Sequence, residues 1–61
     1  MNEYDVKRLA LVLAIQAEIE AMKIFNTQRE IAGDSPGYNY GHFVEKAEEL
    51  RNLAYAHNDQ L

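Results

Sequence analysis

The chain has 61 residues, 48% apolar and 26% charged, a balance that fits one small folded domain and excludes both a disordered segment and a membrane span. It has no cysteine, which removes disulfide scaffolds, thiolate zinc sites and thiol nucleophiles together. Its formal charge of −4 comes from interleaved acids and bases, −1 over residues 1–31 and −3 over residues 32–61, so no basic stripe exists for phosphate contacts and nucleic-acid binding is disfavoured.

In chain order, the opening Met-Asn-Glu-Tyr-Asp is acidic, unlike a secretory leader. From Glu3 to Ile31 neither Gly nor Pro occurs, and Ala, Leu, Glu, Lys, Gln and Met dominate, which predicts a first helix over about 3–31. Asn2 is its expected N-cap, and Asp5 in the first turn complements the helix dipole. Gly33 is placed where a left-handed residue would end it. At 1.5 Å per residue such a helix is about 42 Å long. The densest apolar run, Leu9 to Ile15, is only seven residues, against about 20 for a bilayer span. A cytoplasmic location is the corresponding expectation.

Gly33-Asp34-Ser35-Pro36-Gly37 is the one clear break, and Ser-Pro-Gly-Tyr fits a type II turn inside a loop over 32–40. Tyr38 and Tyr40 are expected to cover the end of the hairpin. Asn39 is a candidate cap for a second helix over about 41–58, and the last residues, from Asn58, are expected to fray.

Two heptad rows suggest how the helices meet. The first helix carries Lys7, Ala10, Ala14, Ala17, Ala21, Ile24, Gln28 and Ile31 at alternating spacings of 3 and 4; the second carries Phe43, Ala47, Leu50, Ala54, His57 and Leu61. Small seam residues let helix axes approach closely, so these rows predict an antiparallel αα-hairpin. A further apolar row, Tyr4, Leu11, Ile15, Met22 and Phe25, flanks the alanines. The apolar arc then exceeds half the circumference, which one partner helix does not cover. Self-association into a symmetric four-helix bundle is the expected remedy, with a groove for another protein's helix or a small apolar ligand as the alternative.

Glu18 projects into that arc between Leu11, Ala14, Met22 and Phe25. A carboxylate there needs a cationic partner, a proton, a metal or a wet edge, and Lys7, Arg29 or Arg51, or the symmetry-related copy of one of them, is the expected partner. The metal alternative would recruit His57, with His42 and Glu45. However, His42-Phe43-Val44-Glu45 reverses the Glu-x-x-His order of di-metal bundles. Glu45, Glu48 and Glu49 with Lys46 and Arg51 read as a solvated face. Ser35 has no base placed to activate it, and no phosphate-cradling glycine loop occurs, so no catalysis is expected.

Ala47-Glu48-Glu49-Leu50-Arg51 resembles, at Glu49-Leu50 alone, the Ser-Gln-Glu-Leu-Asp signature of small aspartyl-phosphate phosphatase hairpins that act on response regulators. The serine and aspartate are both replaced, so the resemblance assigns no family. The plan is also similar to that of RNA-binding hairpins that dimerise into four-helix bundles, without a shared motif.

The expectation is therefore an all-α, antiparallel two-helix hairpin pairing into a homodimeric four-helix bundle. It would act through protein–protein interaction without cofactor, metal, membrane or catalysis. Its partners would be a second copy, dimer favoured, or an unidentified protein. The expected interface, hairpin seam and oligomer together, comprises Ala10, Leu11, Ala14, Ile15, Ala17, Glu18, Ala21, Met22, Phe25, Phe43, Ala47, Leu50, Ala54 and His57. The alternatives are a metal-binding carboxylate/histidine bundle and a nucleic-acid-binding helical dimer.

Overall fold

The computed structural model describes residues 2–61. Helix α1 runs over Glu3–Ile31, helix α2 over Tyr40–Tyr55, and a short 3-10 turn follows over Asn58–Gln60. The two helices lie antiparallel and side by side. No helix among the described residues is long and apolar enough to cross a membrane.

Local chemistry sets the ends of α1. The Asn2 side chain accepts the Asp5 N–H at 2.9 Å, satisfying one of the free donors of the first turn. At the other end Gly33 takes φ +81°, a conformation costly for residues with a Cβ. The Gly33 N–H then donates to Glu30 O and the Asp34 N–H to Arg29 O, at 3.0 and 2.8 Å. These two bonds make a Schellman motif, which satisfies carbonyls of the last turn. Asn39 caps α2 reciprocally: its Oδ1 accepts the His42 N–H, and His42 Nδ1 accepts the Asn39 N–H at 3.0 Å.

The loop departs from the expected type II turn. Gly33 is the only glycine with positive φ, so Gly37 does not supply the left-handed residue that turn requires. Gly37 is needed for space. A Cβ there would strike the Phe25 ring and lie 3.3 Å from Arg29 Cδ. The Phe25 ring is held in turn, edge-on to Tyr38 with centroids 5.6 Å apart and beneath the Arg29 guanidinium. Gly37→Ala is therefore expected to cost about 1–3 kcal/mol through overpacking. An unchanged urea midpoint would show that the loop simply lifts away from the ring.

Asn26 anchors the same loop. Its Nδ2 donates to Tyr38 O and its Oδ1 accepts the Tyr38 N–H, both at 2.9 Å. Tyr38 is thereby half-buried against Phe25 and His42, whereas Tyr40 is exposed at the first position of α2 and covers nothing.

The tail also differs from expectation. Helix α2 ends at Tyr55; Ala56 is extended, and the following 3-10 turn is closed by Gln60 Oε1 accepting the His57 N–H. Leu61 is half-buried and lines a shallow groove with Ile15, Leu53 and Ala56. The chain thus folds back at its end.

Candidate interaction surface

The residues that α1 turns towards α2 form a heptad row of their own: Arg8, Val12, Ile15, Ile19, Met22, Asn26 and Arg29 are its buried or half-buried positions. On α2 the matching positions are Phe43, Val44, Lys46, Ala47, Leu50 and Leu53, all half-buried. This corrects the expected seam. Ala10, Ala14, Ala17 and Ala21 are exposed and do not line the hairpin. Ala17 and Ile19 are two residues apart but about 200° apart around the helix, so α1 meets α2 with nearly the opposite face.

The physical reason is area. Val, Ile and Met each remove several methylene equivalents from water, at roughly 25 cal/mol per Å², whereas an alanine offers one methyl group. The row was hard to see because it begins in Arg8 and ends in Asn26 and Arg29, which reads as polar in sequence. In the fold Arg8 reaches across to the C-terminal end of α2, and Asn26 and Arg29 hold the connecting loop.

Arg8 shows how. Its Nε donates to Leu53 O at 3.0 Å, and its Nη2 donates to Ala56 O at 2.8 Å and to Asn58 Oδ1 at 3.2 Å. Helix α2 has no basic residue in its own last turn, so α1 supplies the cation that its carbonyl end favours. Arg29 does the equivalent at the loop, where its Nε donates to Ser35 O. Neither role is legible in the sequence, because the partners are backbone carbonyls, which carry no residue signature, and those of Arg8 lie 45 and 48 residues away.

Of the other expected interface residues, Met22 is the single buried side chain, at 6% exposure. Ile15, Phe43, Ala47 and Leu50 are half-buried in the hairpin, as above. Leu11, Phe25 and Ala54 remain exposed. His57 is exposed beyond the end of α2 and is no seam residue.

Glu18 is paired, but with Lys46, at 2.5 Å, and not with Lys7, Arg29 or Arg51. Lys46 also contacts Glu49 at 3.4 Å, while Arg51 pairs with Glu48. The hydrogen bond to Glu18 raises the Lys46 pKa above its ordinary 10.5; partial desolvation opposes this, and the Glu18 and Glu49 charges add to it. The folded state therefore favours the protonated lysine. That stabilisation is fully present below 10.5 and disappears as pH climbs through the higher folded value. Glu18→Gln is expected to shrink the loss of stability on the alkaline side of 10.5. The readout is the difference between variant and parent urea midpoints across that range. Parallel alkaline limbs would remove the pair from any role in stability.

Glu18, Lys46, Met22, Phe25, Tyr38 and His42 wall an open groove of about 450 Å³ on one flank of the hairpin. Two of its polar groups are engaged, Glu18 with Lys46 and His42 Nδ1 with the Asn39 N–H, while the Glu45 carboxylate is exposed at its edge. Of the residues a metal reading would recruit, Glu18, His42 and Glu45 border this groove, while His57 lies apart from them, past the end of α2. Among the described residues no three His, Cys, Asp or Glu side chains cluster as a metal site. Comparison with protein-family models, curated proteins and solved structures finds no match.

Proposed function

We propose that this chain is a non-catalytic helical interaction module that self-associates as a two-fold homodimer of four helices. The observation that carries this reading is the poverty of its own interior: Met22 is the single buried residue among those described. One methionine and a row of half-buried side chains fall short of the core that a chain of this size needs without disulfides or metal. The molecule is also extended, 47 × 18 × 11 Å, with a radius of gyration of 14.6 Å against about 10.5 Å for a compact chain of equal length. Two-fold homodimers are the commonest closed assembly, and they satisfy surplus apolar area at no cost in new sequence. Binding, not chemistry, is the reading for the flank groove too, since Glu18 and Lys46 there are paired with each other and His42 serves as a cap.

Sedimentation equilibrium across a dilution series, with helical circular dichroism alongside, tests the proposal. The expected result is a species near twice 7.0 kDa whose helicity falls as it dissociates. A fully helical monomer at every concentration would overturn it.

A further inference from the structure

We infer that a second copy of this chain docks on the face of α1 directly opposite α2, along an antiparallel α1–α1 seam centred on Ala17. The inference rests on the self-association proposed above and deepens it by naming the surface and the geometry.

Helix α2 occupies one side of α1, the side carrying Ile15, Ile19 and Met22. At 100° per residue, Val6, Leu13, Ile24 and Ile31 fall close to the opposite side, with Ala10, Ala17 and Ala21 interleaved. Those four large residues are 54–82% exposed. Helix α2 exposes a more polar surface: Glu45, Glu48, Glu49, Arg51 and Asn52 are exposed, and its exposed large apolar side chains are the two tyrosines Tyr40 and Tyr55, whose rings carry a polar hydroxyl. The uncovered aliphatic surface therefore lies mainly along the back of α1, which spans 29 residues and about 43 Å.

Area identifies the occupant. The hairpin exposes 4738 Å², against about 4,000 Å² for a compact monomer of 7.0 kDa. The excess, roughly 700 Å², is close to the ~800 Å² that each partner contributes to a standard interface. A second copy brings an equal and self-complementary excess.

Side-chain size sets the direction. In an antiparallel pair centred on Ala17, Ile24 lies opposite Ala10 of the partner subunit and Leu13 opposite Ala21 of the partner subunit. Leu13 and Ile24 each then meet an alanine, and the axes approach closely over the middle of the seam, while Val6 and Ile31 fall opposite Gln28 and Glu3 towards its ends. A parallel pair would set Ile24 against Ile24 and alanine against alanine, alternating collision with void. Helix dipoles also favour the antiparallel arrangement. The resulting assembly is a row of four helices, with the two α1 helices central and each α2 outermost.

Because the chain has no cysteine, single substitutions read this geometry directly. In the antiparallel seam an Ala17→Cys pair meets at the two-fold axis, within reach of a disulfide. An Ala10→Cys pair on the same face lies about 21 Å apart along the axis. Mild oxidation of the full chain is expected to convert Ala17→Cys to a covalent dimer and to leave Ala10→Cys uncoupled. Coupling at both positions would mean a parallel seam and overturn the inference. Sedimentation as a dimer with coupling at neither position would place the interface on another face; that also overturns the inference but leaves self-association standing. A wild-type monomer at every concentration would remove both.

Discussion

Replacing Met22 by alanine is expected to destabilise the hairpin by about 3 kcal/mol and to lower its melting temperature by roughly 12–24 °C. Met22 is the only buried side chain among the described residues, at 6% exposure, and it sits mid-row between Ile19 and Asn26 on the side facing α2. Truncating a buried methionine loses its transfer free energy and leaves a cavity that two rigid helices only partly close. A chain of this length has a total stability of about 3–9 kcal/mol, so the loss is a large share of it. The comparison is made at one fixed protein concentration, because the melting temperature of a self-associating chain depends on it. A shift of a degree or two would mean that the helices are not organised around this contact.

Arg8→Met is the second large effect, expected at about 2 kcal/mol, or roughly 8–16 °C. The Arg8 side chain is 23% exposed, so its bonds are partly shielded from water and worth more than those of a surface pair. Methionine keeps the aliphatic packing of the stem and removes only the guanidinium, leaving Leu53 O and Ala56 O without their partner. The damage should be local as well as global. Amide exchange is expected to quicken from Leu53 to Leu61 while the loop end of the hairpin keeps its protection. Arg8→Lys is expected to recover less than half, since a single ammonium does not span both carbonyls as a planar fork does. Uniform loss of protection along both helices would mean that Arg8 is not a specific cap for α2.

Several features were legible because they depend on a few neighbouring residues. Asn2 and Asn39 each cap the helix that follows, and Gly33 ends α1 in the left-handed region. All three are short-range hydrogen-bond or steric effects, so residue type and position suffice. The width of the apolar arc on α1 was also readable, because it is a property of one helix alone. Gly37 was misread for the opposite reason: its glycine answers to the Phe25 ring twelve residues away, and turn rules refer only to adjacent dihedrals.

The candidate surface divides along the same line. That α1 carries more apolar circumference than one helix covers follows from spacing. Which part of it α2 takes does not follow, because two heptad rows coexist on α1 and both have regular spacing. Sequence favoured the alanine row for its regularity. In the fold α2 lies on Val12, Ile15, Ile19 and Met22, and the alanines face outward.

What the sequence by itself determined is therefore the all-α character, the caps and the surplus of apolar surface, all set by propensity, local hydrogen bonding and periodicity. What only the tertiary structure decided is the rotation of α1 about its own axis. With it came the pairing of Glu18 to Lys46, the capping of α2 by Arg8 and the return of the tail to Ile15. Rotation is a collective choice: it sums buried area over every position of both helices and adds bonds between residues as far apart as Arg8 and Ala56. No local window of sequence contains that sum.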